Sequence, residues 1–401
     1  MEFEFWWLLA LPVFFGMGWI AARVDIKSLL SESRALPSSY FRGLNFLLNE
    51  QPDKAIESFL QVAKENPQIV ELQFALGSLF RRRGEVDRAI RMHQDLVNRD
   101  DLPPEERRQA SFELSQDYFK AGLLDHAEEV LARMGELEPS EEVHRHLLDI
   151  YIQEKDWRKA IEAARKLEVS ARRNYQKEIA NYFCELAITA HVHNRPEEAQ
   201  RHLAEALEAN RKCVRANLLR GEWLARAGRH EEALEAWKAI ESQDPAYFGL
   251  AAEGMVESYK ALGRPDEGLA LLRGLQHRYP GLDLLNVVYQ TTAEIEGDEA
   301  AWRLVRDEVR RNPTLVGLDR LIDAELVRAP PERRQDLQLM KNLVHTNAQA
   351  LAVYLCENCG FKARQFFWQC PACGGWETFL PRRTAELDSA GRHLARMQIG
   401  Q

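Results

Sequence analysis

Residues 41–67 read FRGLNFLLNEQPDKAIESFLQVAKENP, and residues 75–97 read ALGSLFRRRGEVDRAIRMHQDLV. Laid over one another, Gly43 and Gly77 stand 34 positions apart, and so do Ala55 and Ala89. Small residues recur downstream at Ala127, Ala160, Ala199, Ala233, Gly268 and Ala301, in steps of 38, 33, 39, 34, 35 and 33 from Ala89. A large residue precedes most of them by nine positions, at Tyr118, Tyr151, Leu224 and Tyr259. Another follows by four, at Leu131, Leu203, Trp237, Leu272 and Val305. Self-similarity at such a period marks an array of supersecondary units. The small residue lets the second helix of a unit approach the first, and the large ones fill the seam. Pro67, Pro139, Pro245, Pro280 and Pro313, twelve positions after it, close the unit. Proline lacks the donor a helix needs and disfavours helix in the residue before it.

This pattern resembles the tetratricopeptide repeat, a pair of antiparallel helices of 34 residues. Eight units run from Tyr40 to Pro313, and a degenerate ninth pair is expected at 317–327 and 332–349. The two long steps have visible causes, an inserted connector at 100–104 and an extended junction at 169–177. The fold class expected is all-α, a tetratricopeptide superhelix over 40–350, and arrays of this kind bind proteins or peptides on a concave face. The basic runs Arg81-Arg82-Arg83, Arg310-Arg311 and Arg333-Arg334 fall near helix ends and read as solvated surface.

Upstream of the array the chain changes character. Residues 5–22 read FWWLLALPVFFGMGWIAA, 18 residues without a charge. At 1.5 Å per residue they would extend ~27 Å, close to the hydrocarbon thickness of a bilayer. Trp6, Trp7 and Trp19 sit near the two ends, where amphipathic rings favour the interface. The start, Met1-Glu2-Phe3-Glu4, is acidic and no A-x-A site follows, so the stretch reads as a retained anchor (1–22) and not a cleaved signal. Arg23, Lys27, Arg34 and Arg42 follow it, which places a linker (23–39) and everything after it on the cytoplasmic side.

Downstream lies the one strong chemical motif. Cys356-Glu357-Asn358-Cys359-Gly360 and Cys370-Pro371-Ala372-Cys373-Gly374 form C-x2-C-x10-C-x2-C. Two such knuckles make a closed tetrahedral S4 site for one metal ion, zinc or iron, with Cys356, Cys359, Cys370 and Cys373 as candidate ligands. A closed site has no open position for water, so hydrolytic metal chemistry is not expected. Phe361, Phe366, Phe367, Trp368 and Trp376 supply apolar packing to a domain at 354–380, which is small enough to need the metal as a staple. A polar tail, 381–401, follows.

The rest argues for binding and against catalysis. Across 401 residues, 53 Lys+Arg against 62 Asp+Glu give a net charge of −9, which does not suit attraction to nucleic acid. Cys184 and Cys213 fall inside repeats and read as small buried fillers. His144/His146 and His191/His193 are spaced i, i+2, which does not place two rings on one helix face. No phosphate-binding, nucleophile-elbow or zinc-protease motif occurs, and the chain is not expected to be an enzyme.

Anchor, array and double knuckle in this order, with the run Y-x-C-x-x-C-G-F…W-x-C-P-x-C from Tyr354 to Cys373, resemble the lipopolysaccharide assembly protein B (LapB, YciM) family over the whole chain. The resemblance implies a rubredoxin-like metal domain docked on the array, with its metal on Cys356, Cys359, Cys370 and Cys373. It also implies a single-pass adaptor of the Gram-negative inner membrane that limits lipopolysaccharide synthesis by promoting FtsH-dependent proteolysis of the deacetylase LpxC. FtsH, LpxC and other inner-membrane lipopolysaccharide regulators or enzymes are the implied partners, with homo-oligomerisation left open. Two other readings stand beside it: a tethered scaffold that assembles lipopolysaccharide enzymes, and a rubredoxin-type electron carrier.

The topology has a direct check. A reporter that is active only in the periplasm should be inactive when fused after Tyr40, and one active only in the cytoplasm should work there.

Overall fold

In the computed structural model the described residues are 38–65, 69–137, 140–171, 173–279, 284–311, 313–351 and 354–379. The expected anchor at 5–22, nearly all of the linker and the tail at 381–401 lie outside them. Among the described residues no helix is long and apolar enough to cross a membrane. What is described is helical up to Leu351, with one small β-hairpin beyond. The chain divides into two compact units, one ending at Glu154 and one beginning at Lys155.

In the first unit α1 (Ser38–Leu48) and α2 (Pro52–Glu65), α3 (Val70–Arg83) and α4 (Val86–Val97), and α5 (Pro104–Ala121) and α6 (Leu124–Leu137) form helical hairpins, followed by α7 (Glu141–Glu154). The turn from α3 to α4 explains the tight connection. Gly84 takes a left-handed φ of 84°, and the Gly84 and Glu85 N–H groups donate to the Arg81 and Phe80 carbonyls, closing the last helical turn. The repeat residues Ala55, Ala89 and Ala127 are all fully buried. The seam position four after Ala89 is occupied by His93, where other repeats carry Phe59 or Leu131. Its ring is fully buried, with Nδ1 2.5 Å from Asp117 Oδ2 on α5. Arg81 completes the group, donating to Asp117 Oδ1 at 2.8 Å and Glu113 Oε2 at 2.6 Å. A buried carboxylate is tolerable only when paired in this way.

The second unit runs α8 (Trp157–Ala171), α9 (Gln176–Val192), α10 (Pro196–Ala209), α11 (Val214–Arg226), α12 (His230–Lys238) and the single turn α13 (Ile240–Gln243). A 3-10 turn at Pro245–Tyr247 leads into α14 (Phe248–Ala261) and α15 (Pro265–Arg278). Then come α16 (Leu285–Glu296), α17 (Asp298–Arg311), α18 (Leu315–Arg328) and α19 (Pro331–Leu351). Helices α18 and α19 lie where the degenerate ninth pair is expected, with Thr314 capping α18 by accepting from the Gly317 N–H at 3.0 Å. α19 is held by His345 to Asp319 at 3.0 Å and by a Lys341–Asp323 ion pair, and it leaves Leu339, Met340 and Leu343 exposed.

One ring shows how the repeats lock. Trp237 of α12 is buried, and its Nε1 donates to the Leu218 carbonyl at 3.3 Å. A Cβ at Gly221 on α11 would fall 2.3 Å from Trp237 Nε1, and one at Gly254 on α14 would fall 2.8 Å from the far edge of the same ring. The indole thus fills the space that two glycines on neighbouring helices leave, and it belongs to a buried apolar core that runs from Val214 to Val288. Gly221→Val should cost about 1–3 kcal/mol by overpacking this seam. The drop is to be read in thermal unfolding; an unchanged midpoint would show that the ring moves freely.

Candidate metal centre

Beyond α19, β1 (Tyr354–Leu355) pairs antiparallel with β2 (Lys362–Ala363), Tyr354 opposite Ala363. Between and after them lie the two C-x-x-C segments, built alike. In the first, Gly360 N–H donates to the Cys356 carbonyl at 2.9 Å, and Cys356 N–H to the Phe361 carbonyl at 2.9 Å. In the second, Gly374 N–H donates to the Cys370 carbonyl at 2.8 Å, and Cys370 N–H to the Gly375 carbonyl at 2.8 Å. Gly360 and Gly374 take φ of 75° and 69°, a left-handed turn that residues with a Cβ resist. This is why each knuckle carries its glycine.

The two turns bring all four Sγ atoms within 4.8 Å of one another. Cys356 and Cys373 sulfurs are 3.8 Å apart, and Cys359 and Cys370 3.7 Å. For metal–sulfur bonds of about 2.3 Å a tetrahedron has an edge of about 3.8 Å, so the donors fit one ion. Cys356 and Cys370 are buried, while Cys359 and Cys373 lie on the exposed side of the cluster. The donor chemistry fits as well. Burial works to raise the Cys356 thiol, but its hydrogen bond with Thr378, 3.3 Å away, and the Cys359 and Asn358 N–H groups hold it down at about 6. Asn358 Nδ2 lies 3.4 Å from Cys373 Sγ, and with the Gly375 N–H it lowers that thiol. Against the Phe361 N–H, which works to lower it, burial and the neighbouring thiols push Cys359 up to about 12. Four sulfurs this close ionise together only when a cation offsets their mutual repulsion. Among the described residues this is the group of His, Cys, Asp or Glu placed to hold a metal ion, and the four cysteines could bind one.

The aromatic residues serve two tasks, and Phe366 shares in both, meeting Tyr247 edge-on at 6.2 Å. Phe379 is buried among Phe361, Phe366 and Phe367, at ring distances of 6.4, 6.4 and 5.8 Å, and forms the core of the small domain. Trp368 and Trp376, expected to pack within it, turn instead to the helices. Trp368 stacks on Tyr247 with centroids 5.5 Å apart and planes 4° apart. Trp376 meets Trp157 of α8 and Tyr182 of α9 edge-on at 6.2 and 5.9 Å. Arg215 of α11, 6% exposed, lies with its guanidinium carbon 5.7 Å from Trp368 and 5.4 Å from Trp376, within cation–π range. Beside it Asn181 Nδ2 donates to Glu377 Oε1 at 2.8 Å. Burial raises the Glu377 carboxyl, and Asn181, Lys177 and Arg215 work the other way. Glu377 stands at φ 51°, left-handed without being glycine.

The remaining candidates take structural places. His191 stacks on Trp223 at 4.2 Å, His146 meets Phe112 edge-on, and His144 and His193 bond to carbonyls four residues earlier, at Ser140 and Thr189. Cys184 and Cys213 are buried as expected, but their sulfurs touch at 3.8 Å across α9 and the start of α11. Nothing in a spacing of 29 residues announces that contact.

The comparisons with known proteins decide the family. Lipopolysaccharide assembly protein B of Escherichia coli K12 is 32% identical over 378 residues, covering 94% of this chain and 97% of that one. The chain belongs to the lipopolysaccharide assembly protein B family. The relative of that name from Haemophilus influenzae is 29% identical, covering 93% of this chain and 97% of its own. Residues 354–381 match the rubredoxin metal binding domain, and 42–99 and 184–247 match the tetratricopeptide repeat. Among solved structures, Naa15/Naa10 bound to HypK-THB aligns over 78% of this chain and 51% of its own, at TM-score 0.39 and 14% identity. In family terms, then, the rubredoxin-like ribbon of this member is fastened to its repeats through Trp368 and Trp376. Trp376→Ala should cost ~3–5 kcal/mol at a buried aromatic site. The expected outcome is a ribbon cut readily by protease while helical circular dichroism is retained; unchanged resistance would assign the anchoring to other residues.

Proposed function

We propose that this chain is a single-pass inner-membrane adaptor that restrains lipopolysaccharide synthesis by delivering the LpxC deacetylase to the FtsH protease. The observation that carries the reading is the 32% identity to lipopolysaccharide assembly protein B along 94% of the chain, repeats and ribbon alike. In this reading residues 5–22 span the membrane and the repeats lie in the cytoplasm. Tethering an array beside a membrane protease raises the effective concentration of whatever the array holds, without new chemistry. The array supplies side-chain surface for protein partners, which is what stacked helical hairpins offer.

Cys356, Cys359, Cys370 and Cys373 are the ligands in this reading. A bound ion would tie the two knuckles together and, being fully coordinated by sulfur, would leave no position for water. The residues around it keep the thiolates hydrogen-bonded and carry Trp368 and Trp376 to the helices. The ribbon therefore braces part of the repeat surface. The purified chain should carry one zinc or iron per molecule by elemental analysis. Cys370→Ser should lose it, and a variant that kept a full equivalent would remove Cys370 from the ligand set.

The decisive cellular measurement is the LpxC half-life in cells depleted of this protein, with and without active FtsH. The adaptor reading expects LpxC to persist on depletion, with no further change when FtsH is also inactive. An unchanged half-life would favour the scaffold for lipopolysaccharide enzymes.

A further inference from the structure

We infer that ribbon docking and metal loading are one linked equilibrium, in which Arg215 and Glu377 are positioning residues that set the affinity of the four-cysteine site without touching the ion. The inference rests on the assignment of the cysteines as ligands and extends it to residues far away in sequence.

Three observations carry it. The first is proximity along the chain. Trp368 precedes Cys370 by two residues, and Trp376 follows Cys373 by three, so the second knuckle is bracketed by the two rings that enter the helices. The second is that knuckle and anchor share one backbone framework. Glu377 N–H donates to the Trp368 carbonyl at 2.7 Å, Cys370 N–H to Gly375, and Glu357 N–H to Thr378 at 2.7 Å. A displacement of Trp376 or Glu377 therefore moves the turn that places Cys370 and Cys373. The third is that the receiving side is built. Arg215 and Asn181 are buried, Arg215 Nη2 is fixed by Glu185 at 2.6 Å, and its Nη1 reaches Asn181 Oδ1 at 3.4 Å. Glu377, on the ribbon, is the acceptor that Asn181 meets, although 196 residues separate them.

The thermodynamics follow from reciprocity. A ribbon of this size has too little core to hold two knuckles in place alone. When docked, the helices hold the second knuckle and so favour the arrangement of Cys370 and Cys373 that an ion needs. By linkage, whatever docking adds to metal affinity, the metal adds to docking. Loss of the ion should then release the ribbon and uncover Trp157, Tyr182 and Tyr247. The site would thereby report metal status on the surface of the array.

The test uses the full-length chain purified in detergent, with zinc as the probe and a chromophoric chelator as competitor. Arg215→Ala and Glu377→Ala should each weaken zinc binding roughly tenfold, within the usual range of coupling. Arg364→Ala, an exposed change on the same ribbon, should leave it unchanged. Hydrogen exchange provides the converse reading: removing zinc should expose backbone amides of α8, α9 and α11, with total helicity preserved. Should Arg215→Ala fail to fold by circular dichroism, Glu377→Ala, on the ribbon side, decides the matter. Wild-type zinc affinity in Glu377→Ala, or unchanged exchange in α8, α9 and α11 after zinc removal, would overturn the inference. A wild-type chain that binds no zinc or iron would instead overturn the ligand assignment, which keeps the two failures apart.

Discussion

Close approach of helix backbones, made possible by small residues facing large ones, is the constraint on which the rest of this structure depends. Trp237 between Gly221 and Gly254 is its clearest case, since one indole fills the gap in its own hairpin and the gap to the next. Elsewhere the same geometry is met by other side chains. Gly43 faces Phe59, Gly77 faces His93 and Gly268 faces Tyr259. Because each hairpin buries its apolar face only against neighbours, the spacing of these contacts sets the spacing of everything the array presents.

His93 shows what happens when the seam residue is polar. Its burial obliges Asp117 to follow it inward, and Asp117 in turn takes Arg81. A substitution at any of the three leaves an uncompensated group in a dry place, which is costly, whereas an apolar replacement of the whole set need not be. The ribbon meets the same problem at Glu377, where Asn181 and Arg215 of the helices supply what the small domain lacks. In both places polar groups withdrawn from solvent tie one element to another.

Much of this was legible in the residues. The small-residue period, which runs to Ala301 in α17, and the paired C-x-x-C segments, which mark the sulfur cluster, are both local signals. The docking face was not legible in the same way. Trp368 and Trp376 carry the same apolar signal as Phe366 and Phe367, and alternation along so short a ribbon does not say which side meets the helices. Nothing in the sequence sets Arg215 apart from the other arginines, because its burial comes from residues more than 150 positions away. Cys184 and Cys213 met only through the stacking of α9 and α11. Such pairings depend on tertiary register, which a single sequence does not write down.

The ribbon is made after every helix it docks on, and its landing site begins at Trp157. A ribosome will have released α8, α9 and α11 long before residues 368–377 exist. During that interval Trp157, Tyr182 and Tyr247 lack the rings that later cover them, and closing so long a loop is slow compared with local helix formation. Docking of the ribbon therefore waits until residues 368–377 have been made. A chain truncated even shortly before Trp376 would display an aromatic surface of the kind that chaperones and proteases recognise.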